Sequence, residues 1–207
     1  MLMRVLLPIL TFAVLLSGCV SPPQTSSSKG IASAAAAAQK RGDWTTAAQL
    51  WEQAIQKENG FWTLEFARSP KLMAIYYYEL GRSLGVLGQY DDAEKNLSRA
   101  LRLDEKLNGP KGMDLAELAR LNHARANNAR AASFFDQIFP RMDETSEGDP
   151  AAYIALLTEA ATVYEAVGQN RRAAELKTKA EKFSARHPNA KIPNDYGWTP
   201  YKTGNSN

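Results

Sequence analysis

Five consecutive residues, Gly81, Arg82, Ser83, Leu84 and Gly85, spell Gly-x-Ser-x-Gly, the pattern that in hydrolases exposes a serine on a sharp turn between a strand and a helix. The chemistry depends on that turn, and no strand pattern precedes Gly81. Tyr77, Leu80, Leu84 and Leu87 fall at helical spacing instead, which puts Ser83 in mid-helix and makes Gly81 the small residue of a helix crossing. A hydrolase using Ser83 is therefore the weakest functional alternative. His123 and His187 stand alone, Cys19 is the single cysteine, and there is no His-Glu-x-x-His, phosphate loop or EF-hand loop. No catalytic residue, metal or cofactor is expected, and an intramolecular disulfide is excluded. The 25 Lys and Arg residues against 22 Asp and Glu are too evenly spread for a nucleic-acid surface.

The elements that position these residues begin with an address. Arg4, an apolar run from Val5 to Leu16 and small residues after it form a secretory signal, too short to span a bilayer as a mature helix. The run ends in Leu16, Ser17, Gly18 and Cys19. This resembles the lipobox of bacterial lipoproteins, and the resemblance implies that residues 1–18 are removed and Cys19 is lipidated to become the first mature residue. Several acyl chains anchor durably where one binds only marginally. Val20 and Ser21 follow in place of Asp, which by analogy with enterobacterial lipoproteins implies the outer membrane, facing the periplasm. Residues 19–30, rich in Ser and Pro, read as the lipidated cysteine and a flexible tether.

From Ile31 to His187 the sequence reads as helices broken at Gly42, Ser69-Pro70, Gly88, Gly109-Pro110, Asp149-Pro150, Gly168 and His187-Pro188. Ser69 and Asp149 are expected N-caps with proline at the first helical position, where a missing N–H costs nothing. Tyr90, Ala93, Leu97 and Ala100 mark the apolar stripe of a second helix that must fold back on the first. The stripe returns at Trp44, Ala47, Trp51 and Ala54, at Asn128, Ala131, Phe135 and Ile138, and at Asn170, Ala173, Lys177 and Ala180, a mean spacing of 42 residues. Ala35, Gly81, Ala119 and Ala161 recur as the small residues of the first helices. Asn122, Arg125 and Lys177 depart from the apolar pattern.

These residues, above all the segment from Ala74 to Leu107, resemble the tetratricopeptide repeat (TPR), in the longer kinesin-light-chain-like form because the spacing exceeds the usual ~34 residues. The resemblance implies an all-α fold of four helical hairpins over residues 31–187, stacked in a right-handed solenoid. It also implies a concave wall lined by the first helix of each hairpin. Read on that face, Tyr78, Arg82, Arg120, His123 and Asn127 are the candidate partner-binding residues, offering aromatic contact, charge and amide hydrogen bonds to an extended peptide. The Lys and Asn set of carboxylate-clamp repeats is missing, so chaperone C-termini are not the expected ligand.

Two further segments carry expectations. Residues 188–207 form an aromatic tail in which Trp198 or Tyr201 should dock on the array, since aromatic side chains rarely stay wholly exposed. The basic run Arg171, Arg172, Lys177, Lys179, Lys182 and Arg186 reads first as a solvated face with i,i+4 pairs and second as a patch for anionic lipid or cell-wall polymer. The combined reading is a membrane-anchored periplasmic scaffold or adaptor for a protein partner, in envelope, secretion or pilus assembly; the alternative is a structural envelope protein that binds cell-wall polymer.

Overall fold

The computed structural model describes residues 27–59, 69–142, 149–190 and 199–201. Eight helices follow in order among them: α1 Ser28–Lys40, α2 Trp44–Asn59, α3 Pro70–Val86, α4 Tyr90–Leu107, α5 Lys111–Ala124, α6 Asn128–Met142, α7 Pro150–Ala166 and α8 Asn170–Arg186. Each odd helix pairs with the even helix that follows, and successive hairpins stack through α2 on α3, α4 on α5 and α6 on α7. Among the described residues there is no strand, and no helix is long and apolar enough to cross a membrane. Cys19 lies outside the described residues, as does Trp198.

Local chemistry accounts for the helix boundaries. The Ser69 and Asp149 side chains accept from the backbone N–H of Leu72 and Ala152, and Pro70 and Pro150 open α3 and α7. One boundary differs from the sequence reading. The helical body begins at Ser28 rather than Ile31, because the Ser27 hydroxyl caps the Gly30 N–H and Ser28 Oγ donates to Glu58 Oε2 at 2.6 Å. Glu58 also accepts from the Ser69 N–H at 3.1 Å, so one buried carboxylate ties the starts of α1 and α3 to the end of α2.

Small residues set the packing distance inside every hairpin. Ala35, Ala119 and Ala161 on the first helices, and Ala47, Ala93, Ala131 and Ala173 on the second, are fully buried. At Gly81 a methyl group would stand 2.7 Å from Leu97 Cγ and 3.0 Å from the Ala93 carbonyl oxygen, nearer than packed atoms tolerate. Trp51, Tyr76, Leu80, Leu84 and Leu97 fill the core of the first two hairpins, while Phe135, Ile138, Leu156, Val163 and Tyr164 fill that of the last two. Leu87, assigned from spacing to the buried stripe of α3, is exposed; it is the C-cap residue of that helix, already turning away.

The polar departures from the apolar pattern hold hairpin two to hairpin three. Asn122 is completely buried, donates to the Leu118 carbonyl at 2.9 Å and accepts from the Arg125 guanidinium at 2.8 and 3.2 Å. Arg125 reaches across to Asp91 at 3.2 Å and to Glu94 on α4, and Arg130 meets Glu94 from α6 at 2.5 Å. Every charge in this cluster has a counter-charge, the condition under which partly buried ions are tolerated. Lys177 likewise turns outward to Glu165 at 2.6 Å.

Candidate functional site

Helices α3, α5 and α7 present equivalent turns to one inner wall, and their sequences there read Glu79-Leu-Gly-Arg82, Glu117-Leu-Ala-Arg120 and Glu159-Ala-Ala-Thr162. Spacing by three puts each pair on one helix face, and stacking places the pairs side by side. Arg82 Nη1 lies 3.0 Å from Glu79 and its Nε 4.0 Å from Glu117. Arg120 bridges Glu117 at 3.2 Å and Glu159 at 2.9 Å. The result is a row of alternating charge, Glu79, Arg82, Glu117, Arg120 and Glu159, that crosses three hairpins.

Burial makes this row unlike a surface network. The Glu117 side chain is 1% exposed, and a carboxylate so placed needs several donors to stay charged. Burial acts against the charge of Arg82 and Arg120, but the adjacent carboxylates outweigh it and hold both guanidiniums above their ordinary pKa. Glu159 is pushed up to about 7, mainly by burial, with Arg120 acting in the opposite direction. Tyr78, its ring 5.7 Å from the Arg82 guanidinium, has its phenol pushed up by burial and by the Glu117 charge.

A segment of the chain itself occupies this wall. Thr199, Pro200 and Tyr201 are bent by a hydrogen bond from the Tyr201 N–H to the Thr199 carbonyl at 2.8 Å. Thr199 Oγ1 accepts from Arg82 Nε at 2.7 Å. Tyr201 Oη donates to Glu117 Oε1 at 2.6 Å, and burial together with the Glu117 charge raises the Tyr201 pKa well above its ordinary value. The ring lies over Gly85, where a methyl group would collide with its Cε1 and also approach Leu121 Cδ1 to 2.9 Å. Beside the ring a pocket of about 240 Å³ opens, lined by Arg120, His123, Phe135, Glu159, Thr162 and Tyr201 among others.

Of the five residues expected on the wall, Tyr78, Arg82 and Arg120 come together in the charged row. His123 lies at the end of α5 on the pocket lining, with Nδ1 2.6 Å from Asn128 Oδ1. Asn127 does not face the wall. It stands exposed in the turn after α5, where its N–H donates to the Asn122 carbonyl at 2.8 Å; the helix ends at Ala124, so helical spacing no longer applies. The residues that sequence reasoning passed over are Glu79, Glu117, Glu159, Gly85 and Thr199. The first three carried a signal, Glu at the same place in three successive first helices, that a search for apolar stripes does not register.

The Gly-x-Ser-x-Gly motif separates into three unrelated duties. Gly81 admits α4, and Gly85 admits Tyr201. Ser83, fully buried inside α3, donates to the Glu79 carbonyl at 2.9 Å and accepts from Gln39 at 3.1 Å. The sharp turn required by a serine nucleophile is absent. Among the described residues no three His, Cys, Asp or Glu side chains are placed to hold a metal ion. On α8, Arg171 pairs with Glu175 at 3.1 Å and Arg172 with Asp136 at 2.6 Å, and Lys179 lies over the Tyr153 ring.

No protein-family profile matches the chain, and no curated protein matches its sequence. Similar folds are found among solved structures. BtubC (BKLC) from P. vanneervenii is 21% identical, with a TM-score of 0.68 over 81% of this chain and 66% of its own, so this chain spans just under two thirds of that protein. A kinesin-light-chain-like protein with nearly identical TPR-like repeats from Podosopora anserina is 21% identical, with a TM-score of 0.64 over 83% of this chain and 81% of its own. MamA is 14% identical, with a TM-score of 0.59 over 78% and 81%. The fold is thus the all-α, TPR-like solenoid expected from the repeat.

Proposed function

We propose that this protein is a scaffold that holds an extended segment of a partner protein on the α3–α5–α7 wall, and that it does so while anchored to the bacterial envelope through lipid on Cys19. One observation carries the binding part: the wall already holds an irregular segment, Thr199–Tyr201, by a charge-assisted hydrogen bond at each end. Bonds of that kind are about twice as strong as neutral ones. The TPR-like fold supports the same reading, since stacked hairpins present one continuous wall to an extended ligand. The Leu-Ser-Gly-Cys motif supports the anchor and a periplasmic position at the outer membrane. Cell-wall polymer binding by α8 draws less support, because Arg171, Arg172 and Lys177 are already paired with carboxylates.

The test is site-specific photocrosslinking in the envelope. A crosslinking side chain at Thr162, exposed on the groove side of α7, should yield an adduct whose mapped contact is an extended segment of one protein. The same group at Lys95, exposed on α4, should not. Equal labelling from both positions, or none from either, contradicts the reading. Radiolabelled fatty acid should enter the parent chain and not Cys19→Ser, and equal labelling of the two would remove the anchor.

A further inference from the structure

We propose that the wall contains a tyrosine-reading subsite, built from Gly85, Leu121, Glu117 and Arg82, and that Thr199–Tyr201 is its internal occupant, so a partner must present the same chemistry and displace the tail. The inference rests on the groove reading given above and adds the chemical class of the segment that fits.

Three features define what enters. The first is shape. Gly85 lies in the last turn of α3, where any side chain would occupy the space of the Tyr201 ring, and its missing side chain makes a flat slot against Leu121. The second is polarity. At the end of the slot Glu117 Oε1 receives the phenol hydrogen at 2.6 Å, while Arg82 Nε stands 4.0 Å from that oxygen. The seated ring shuts Glu117 off from water, its side chain being 1% exposed, so any occupant that seals the slot in the same way must bring a hydrogen-bond donor at the far end of a planar ring. Tyrosine meets both demands, and phenylalanine meets only the first. The third is spacing: Arg82 Nε donates to a hydroxyl oxygen two residues before the ring. The preferred segment is therefore Ser or Thr, one residue that permits a tight bend, then Tyr. A phosphorylated tyrosine would bring negative charge against Glu117 and is excluded.

The arrangement also sets a threshold. An internal ligand competes at an effective concentration fixed by its tether, so weak partner segments are kept out until the tail is released. Residues 190 and 199 bracket the stretch that links the end of the last hairpin to the wall.

The experiment uses the full chain, its Tyr201→Ala variant and its Gly85→Ala variant, each checked for helix content by circular dichroism. The probe is a fluorescein-labelled peptide with the sequence of residues 197–204, followed by anisotropy. The peptide should bind Tyr201→Ala at least tenfold more tightly than the parent, whose site is filled, and its Tyr→Phe version should bind Tyr201→Ala roughly tenfold more weakly, the loss expected for a hydrogen bond to a charged group. Gly85→Ala, which ejects the tail and fills the slot, should not bind it. Equal binding to Tyr201→Ala and Gly85→Ala overturns the subsite, as does absence of binding to a folded Tyr201→Ala. Failure here with successful crosslinking from Thr162 would leave the scaffold standing without a tyrosine subsite; the reverse pair of results would leave the subsite as a purely internal contact.

Discussion

Hairpins two and three are built on the same repeat, yet they solve the same three positions differently. Where hairpin two has Leu84, Leu87 and Gly88, hairpin three has Asn122, Arg125 and Ala126. Leu84 is buried against apolar neighbours, whereas Asn122 is buried within a hydrogen-bonded cluster that reaches Glu94 on α4. Gly88 takes its left-handed turn at φ 80°, and Ala126 adopts one at φ 62°, a conformation that a side chain with a Cβ resists by about 1–2 kcal/mol. Hairpin two thus gains its stability from its own interior. Hairpin three accepts local strain, and its polar residues serve the joint with its neighbour.

The largest effect that would sharpen this contrast lies at that joint. Asp114, at the start of α5, faces Asp104 on α4, and burial followed by the Asp104 charge pushes its pKa from 3.8 up to about 8. The folded state therefore keeps a proton that the unfolded state releases, so this group's contribution falls as pH rises from about 4 to about 8. Asp114→Asn should remove that component. Its gain over the parent in urea unfolding should grow with pH and level off above about 8; a gain independent of pH would show that the carboxyl pair does not share a proton.

Inside hairpin two, Gly81→Leu should cost about 3 kcal/mol, the upper end for overpacking a filled contact, read as a lower urea midpoint. At the aligned positions of hairpin three, Asn122→Leu restores the apolar pattern but takes from Arg125 the acceptor of two of its hydrogen bonds, leaving it Asp91 and Glu94 alone. It should destabilise by about 2 kcal/mol, and a neutral or stabilising result would mean that the cluster does not join the hairpins. The smallest effects have opposite signs: Ala126→Gly should stabilise, and Gly88→Ala destabilise, by about 1 kcal/mol each, visible as thermal shifts in opposite directions.

The same contrast explains what could be read from the sequence. Caps at Ser69 and Asp149, the turns at Gly42, Gly88 and Gly168, and the small residues at helix crossings follow from local rules, and the structure has them at those places. Asn122 and Arg125 read as faults in a stripe because Asn122 accepts from Arg125, and the Arg125 partners Asp91 and Glu94 lie on another helix, more than thirty residues earlier. The wall was legible in part: Tyr78, Arg82 and Arg120 follow from helix geometry, whereas Asn127 was carried past the end of α5 by the same arithmetic. That Trp198 or Tyr201 would dock followed from aromatic burial, but neither the choice of Tyr201 nor its seat did, because Gly85 reads as half of a hydrolase motif until the ring above it is seen. Glu117 gave no local sign of being buried.

The most direct test of the account is the position of Tyr201 in solution, measured by nuclear Overhauser effects in the full chain with labelled tyrosine rings and leucine methyls. The account predicts cross-peaks from the Tyr201 ring to the Gly85 α-protons and to a Leu121 methyl, with all of them lost in Gly85→Ala. A Tyr201 ring with averaged, solvent-like shifts and no contact to either residue would contradict it.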